Sequence, residues 1–197
     1  MSAAASGTAL LLVDLQRDFL APDGAYARGG ATAPAIAALP ARLRPVVARA
    51  REQGVPIVAT QFTLVAPPGR EPIISAHLRA ARPFLRAGDF APGSRGHAVV
   101  DELAPVDVAV EKVAYSAFHQ SRLEWVLRGL GASRLLVAGI TTNGGVAATV
   151  HDAHVRDLDV TLLGDGCAAF DPAVHEATLR SLAGVAGVVA CADALRP

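Results

Sequence analysis

Short apolar runs recur along the chain, each closed by a charge, a glycine or a proline, and longer stretches with helical spacing separate them. Thr8 to Val13 is the first run, bounded by Gly7 and by Asp14. A run without a polar alternation is the pattern of a strand covered on both faces, which leaves Asp14 at the strand's carboxyl end. Ala35 to Gln53 carries helical spacing, broken near Pro40 and Pro45, and Gly54 is a helix stop. Val55 to Thr60 reads as the second strand. Val106 to Glu111 is the third, Ser121 to Gly129 a helix, and Arg134 to Ala138 the fourth strand. A helix after Asn143 reaches about Arg156. Val160 to Leu163 is the fifth strand, Pro172 to Leu182 a helix, and Val185 to Ala190 the sixth strand. Strands and helices alternating at these lengths predict an α/β fold, a parallel sheet covered on both faces and joined by right-handed crossovers.

Two stretches break this rhythm. Residues 20 to 32 are rich in Gly, Pro and Ala and read as a loop. From Gln61 to Gly96 the chain carries Pro67, Pro68, Pro72, Pro83 and Pro92 among scattered charges. The expectation there is an irregular excursion with one short helix near Ser75 to Ala81, of the kind that supplies a lid or an oligomer contact.

Composition narrows the classes. The 197 residues, 52% of them hydrophobic, suit one substantial core and are few for two, so a single domain over residues 1–197 is expected, with a flexible start at residues 1–7. Eighteen basic residues balance eighteen acidic ones without a dense basic run, so no footprint for nucleic acid or an anionic membrane is present. No apolar run approaches the roughly 18 residues of a membrane span. Cys167 and Cys191 form neither a metal spacing nor a disulfide framework, and the first seven residues lack the apolar centre of a signal peptide. The expectation is a soluble, cytoplasmic protein with a small-molecule substrate.

The stretch Val137 to Ala153 reads as strand, turn, helix, with Gly139, Gly144 and Gly145 at the turn. Carboxyl ends of parallel strands face a crevice, and the first amides of the next helix are unpaired donors, so a ligand site belongs there. A plain crossover turn has the same glycines. Asp14 is open to two readings, a proton-transfer group in a dry pocket or a cap or loop ion pair. Lys112 is either a solvated strand end or the cation beside it. His151 and His154 lie three residues apart on a helix, and Asp152 between them faces elsewhere, so they form no metal cluster. Trp125 fits the helix Ser121 to Gly129 as a core or subunit contact.

Taken together, Leu11-Leu-Val-Asp-Leu-Gln-Arg-Asp-Phe19, Val110-Glu-Lys-Val-Ala-Tyr-Ser-Ala-Phe118 and the turn after Gly139 resemble the three active-site segments of the isochorismatase-like superfamily, which includes the cysteine hydrolases. The motifs agree in order, spacing and supersecondary position from about residue 8 to about residue 185. The resemblance implies a three-layer αβα Rossmann-like fold, a six-stranded parallel sheet in the order 3-2-1-4-5-6, and a homo-oligomer. It also implies that Asp14, Lys112 and the residue at 145 are catalytic, that the Ile140–Thr141 peptide is cis, and that the N–H groups of Thr141 and Gly145 form an oxyanion hole. Phe19, Gln61, Tyr115 and Phe118 are the pocket-wall candidates. No cofactor and no metal are implied, because the Asp and His set that nicotinamidase-like relatives place after the second strand is absent from Gln61-Phe-Thr-Leu-Val-Ala-Pro-Pro.

One departure bears on the reaction. Amidase-like members read Thr-Thr-Asn/Ser-Gly-Cys-Val where this chain reads Thr141-Thr-Asn-Gly-Gly-Val146, so the nucleophilic cysteine is missing. Cys167 and Cys191 do not replace it. Members that hydrolyse isochorismate resemble the chain in having Gly there, yet their turn carries Tyr-Ala-His, and their Gln after the second strand is matched here by Phe62. The leading expectation is an amidase-type hydrolase of amides or ureido compounds whose thiol has been lost, by inactivation or by divergence. A vinyl-ether hydrolase with Asp14 as general acid is the second, and a non-catalytic binding or scaffold protein the third.

Overall fold

In the computed structural model, which describes residues 7–196, the strands are β1 (Thr8–Val13), β2 (Ile57–Phe62), β3 (Val108–Lys112), β4 (Arg134–Ile140), β5 (Asp159–Ala168) and β6 (Gly187–Val189). They form one parallel sheet in the order β3-β2-β1-β4-β5-β6. The helices are α1 (Arg17–Leu20), α2 (Ala25–Arg28), α3 (Pro34–Ala37), α4 (Leu39–Gln53), α5 (Ala76–Ala81), α6 (Leu123–Gly129), α7 (Ala147–His154) and α8 (Pro172–Leu182). The fold is thus the expected α/β arrangement, in the expected strand order.

β1 lies between β2 and β4, and every residue of it is buried. Its side chains alternate between two cores, as the period of a strand requires. Leu10 and Leu12 pack with Leu43, Val46 and Val47 of α4. Ala9, Leu11 and Val13 pack with Leu123 and Val126 of α6 and Val150 of α7. Each such leucine or valine contributes about 2 kcal/mol on leaving water, which explains why a continuous apolar run occupies this central position.

Several boundaries differ from expectation for local reasons. The stretch 20–32 contains α2, because the buried Asp18 carboxylate accepts from Ala25 N (3.1 Å) and so fixes the first turn. Strand β5 continues past Leu163 to Ala168, with a register shift against β4 between Val137 and Gly139. Gly164 and Gly166 there are close-packing positions: a Cβ at Gly166 would come within 2.9 Å of Cys191 Sγ. The helix after Asn143 begins as a π-helical turn, Thr142–Val146, and ends at His154. Trp125 is 72% exposed, so it is not a core residue. Of the expected flexible start, residues 1–6 lie outside the described residues, and the Gly7 carbonyl accepts from Ser133 N and Arg134 N. No helix among the described residues is long and apolar enough to cross a membrane.

Candidate active site

The strand order brings the ends of β3, β2, β1 and β4 side by side at the carboxyl edge of the sheet. Asp14 follows β1 with φ of 57°, a left-handed conformation that Asp tolerates better than most residues. Its N–H donates to the Thr60 carbonyl at 3.2 Å, and its Oδ1 accepts from Thr60 Oγ1 at 2.8 Å. Thr60 pairs with Val13 in the β1–β2 register, so the neighbouring strand holds the carboxylate from the side. Lys112 ends β3, one strand further out, and reaches across to Asp14 Oδ2 at 2.6 Å. Its Nζ also donates to the carbonyls of Ala114 (2.9 Å) and Tyr115 (3.2 Å).

Both members of this pair are buried. Burial raises the Asp14 pKa above the ordinary carboxylate value of 3.8, while the charge and hydrogen bond of Lys112 and the hydroxyl of Thr60 oppose the rise. A buried pair of this kind costs desolvation free energy on both sides. A dry carboxyl whose pKa is raised beside a cation is suited to giving up and retaking a proton.

On the other side of Asp14, the peptide between Ile140 and Thr141 is cis, and the chain then turns through Gly144 and Gly145. Thr149 Oγ1, on α7, donates to the Gly145 carbonyl at 2.6 Å and accepts from Ala117 N, which ties the turn to the segment after β3. A Cβ built on Gly145 would lie 3.2 Å from Asp14 Oδ2 and 3.0 Å from the Ile140 carbonyl oxygen. Any side chain at 145 therefore begins against the carboxylate. With glycine there, residue 145 puts no side chain beside Asp14.

Asp14, Lys112, Thr141 and Gly145 share one cavity of about 800 Å³. Of the expected wall residues, Phe19 and Tyr115 line it, and Gln61 and Phe118 do not. Gln61 donates to the His97 carbonyl at 2.9 Å, and the next residue, Phe62, takes the wall position. Phe118 is buried in the core on the α6–α7 side of the sheet, with the Arg156 guanidinium 4.7 Å from its ring centre. An aromatic after a strand faces the core or the crevice according to a local bend that spacing alone does not encode.

Tyr26, Arg82 and Phe170 are wall residues that the sequence did not single out, and Phe62 is a fourth, noted there only as the match to the relatives' Gln. Tyr26 and Arg82 come from the two irregular stretches, so no periodicity pointed to them. The one usable signal was scarcity: in a chain only 5% aromatic, every phenylalanine except Phe118 joins Tyr26 in one cluster. The two thiols are elsewhere. Cys167 and Cys191 are buried outside the cavity lining, and burial pushes the Cys191 thiol up to about 12 and that of Cys167 further still, which keeps both protonated and inert. Among the described residues, no group of three or more His, Cys, Asp or Glu is placed to hold a metal ion.

The family model of the isochorismatase domain matches residues 8–194. The chain belongs to the isochorismatase family. Among curated relatives of this isochorismatase-family chain, the ureidoacrylate amidohydrolase of Stutzerimonas stutzeri (strain A1501) is 30% identical over 202 residues, covering 96% of the chain and 82% of the relative. Enterobactin synthase component B of Escherichia coli (strain K12) is 36% identical over 101 residues, which is 50% of the chain and 35% of that longer protein. A crystal structure of a cysteine hydrolase from Pseudomonas syringae pv. phaseolicola 1448A superposes with a TM-score of 0.80 at 25% identity, covering 98% of the chain and 92% of that structure. Relatives with different names thus share this isochorismatase-family scaffold, and the reaction of this chain has to be argued from its site.

Proposed function

We propose that this isochorismatase-family chain hydrolyses a small-molecule vinyl ether by acid catalysis from Asp14, with water supplying the oxygen. The observation that carries the reading is the Asp14 carboxyl itself: buried, raised in pKa, bonded to Lys112 at 2.6 Å, and beside a position, Gly145, that carries no nucleophile. A vinyl ether needs a proton on its terminal alkene carbon and needs no covalent catalyst. Protonated Asp14 gives that proton, and the C=C pair becomes the new C–H bond, leaving an oxocarbenium ion. Lys112 stabilises the carboxylate so formed. Water adds to the cation and returns a proton to Asp14, and the hemiketal collapses to an alcohol and a ketone. In this reading the turn amides at Thr141 and Gly145 orient the ether substituent.

An amidase-type reading has its own support. Residue 145 starts 3.2 Å from Asp14 Oδ2, where a thiol would find its base, and the relative that covers most of the chain is named an amidohydrolase. Under it, Gly145 marks a lost nucleophile. A single panel separates the two. The unmodified chain should release pyruvate from isochorismate or from simple 2-alkoxyacrylates, and Asp14→Asn should abolish that release. No turnover of any vinyl ether at high enzyme concentration, together with amide or ureide cleavage by Gly145→Cys, would replace the first reading by the second. The family resemblance also makes a homo-oligomer the expected assembly, which sedimentation equilibrium reads directly.

A further inference from the structure

Lys112 and Arg82 are the lysine and arginine that line the cavity, and the first is already committed. Lys112 has three N–H donors, and Asp14, Ala114 and Tyr115 accept all of them. Its charge faces the Asp14 carboxylate at 2.6 Å, so it offers no free donor to a ligand.

Arg82 is different. It follows α5, which forms part of the cavity wall, and its own side chain lines the cavity. The guanidinium lies against two stacked rings, 5.7 Å from the centre of Tyr26 and 5.4 Å from that of Phe170. Nη1 donates to the Ala81 carbonyl at the end of the same helix. Among the described residues no carboxylate pairs with Arg82, whereas the neighbouring Arg28 has Asp89 at 2.7 Å and Arg95 has Asp23 at 2.9 Å. The Nε–H is shut away from solvent and meets no acceptor. Arg49 has the only other such nitrogen among the described residues, but Arg49 lies outside the cavity lining. A buried donor without an acceptor is unfavourable, and a small rotation of the guanidinium toward an entering acceptor would relieve it.

The surroundings fit an acid with a flat apolar body. Phe19, Tyr26, Phe62 and Phe170 supply ring faces and edges along the wall between Arg82 and the Asp14 end. Burial raises the pKa of the Tyr26 phenol, while a hydrogen bond from the Arg82 guanidinium to the phenol oxygen and the guanidinium charge oppose the rise, so the phenol stays a neutral hydroxyl next to that cation. A planar guanidinium whose Nε–H still lacks an acceptor can, on turning, pair with a carboxylate through two parallel hydrogen bonds, a geometry that Lys cannot reproduce.

We propose that Arg82 is the specificity-determining residue of this site, binding the carboxylate of a small, flat organic acid whose labile bond then lies at Asp14. The inference deepens the hydrolase reading and rests on it for the word substrate, but its test needs no turnover. Benzoate and its neutral analogue benzamide serve as probes in isothermal titration calorimetry near neutral pH. In the unmodified chain benzoate binds about tenfold or more tightly than benzamide, the scale of a charge-assisted bidentate contact. Arg82→Met removes that preference and leaves benzamide affinity within about twofold, since the aromatic wall is untouched. Arg82→Lys keeps the charge, loses the planar fork and retains only part of the preference. Equal affinity of the unmodified chain for the two probes, no binding of benzoate at millimolar concentration, or an unchanged preference in both variants would overturn the assignment. Benzoate preference lost with Arg82 in a protein that turns over no vinyl ether would sink the catalytic reading and leave this one standing.

Discussion

Asp14 and Lys112 define the residue scale, because in the charged form each needs the other in a dry crevice. Replacing Lys112 by Met leaves a buried carboxyl without its cation, and that carboxyl can respond by holding its proton more firmly. We therefore expect Lys112→Met to lower kcat/KM at least about 100-fold, on the scale of a lost electrostatic contact to a developing charge. The urea midpoint should fall only modestly, since a protonated Asp14 avoids the roughly 3 kcal/mol or more of an unpaired buried charge. Acid catalysis also fixes the sign of the pH profile. Asp14 titrates above 3.8, and the proposed acid catalysis needs its protonated form, so under that proposal kcat/KM should be highest on the acid side and decline as pH rises through that raised pKa. A base at the same position gives the opposite slope, so a profile rising with pH would favour the amidase-type reading. Stability follows the same sign for this group: with the folded pKa above the unfolded one, its contribution is present at low pH and is lost as pH rises.

At the scale of elements, the site depends on how closely β1 and β4 approach. Gly139 pairs with Val13 and has φ of 132°, and a Cβ there would fall 2.1 Å from the Val13 carbonyl oxygen. That contact is with backbone, which cannot swing aside. Gly139→Ala should destabilise the fold by at least about 3 kcal/mol, combining overpacking and a forbidden backbone region, and should be read as loss of soluble protein or a collapsed urea midpoint. Helix α4 makes the converse case. Pro45 lies inside it on the exposed face and gives up one helical hydrogen bond. Pro45→Ala should raise the urea midpoint by about 1 kcal/mol or more in stability, because the interior penalty of proline exceeds the entropy it removes from the unfolded chain. An unchanged or lower midpoint would mean that the proline serves a contact of its own.

On the scale of the whole molecule, the long segment between β2 and β3 is anchored at its far end by His97. The His97 ring meets Thr63 Oγ1 at 2.9 Å, and its carbonyl accepts from Gln16 and Gln61, so the segment is closed against the ends of β1 and β2. Burial lowers the His97 pKa below 6.5. A histidine kept neutral by folding contributes stability above its unfolded pKa, and that contribution is lost as pH falls through the folded pKa. Melting temperature should therefore drop on going from about pH 7 to about pH 5, and His97→Gln should flatten that part of the curve. The Asp14 contribution runs the other way over lower pH, so the difference between variant and parent, and not the parent curve alone, isolates His97.

The sequence by itself determined the layered α/β scaffold, the placement of Asp14, Lys112 and the 145 turn at strand ends, and the absence of a thiol at that turn. These are legible because burial on both faces writes itself as continuous apolar runs, and a parallel sheet puts every strand's carboxyl end on one edge. Only the tertiary structure decided which aromatics face the crevice. Gln61 and Phe118 looked like wall residues by position, but a one-residue step at the end of β2 substitutes Phe62, and Phe118 falls into the opposite core. Tyr26 and Arg82 come from segments without periodicity, brought together by Asp18 and by ring packing across long sequence separations. Periodic patterns record which face of an element meets the core, whereas contacts between irregular segments depend on three-dimensional neighbours that no local stretch of chain specifies.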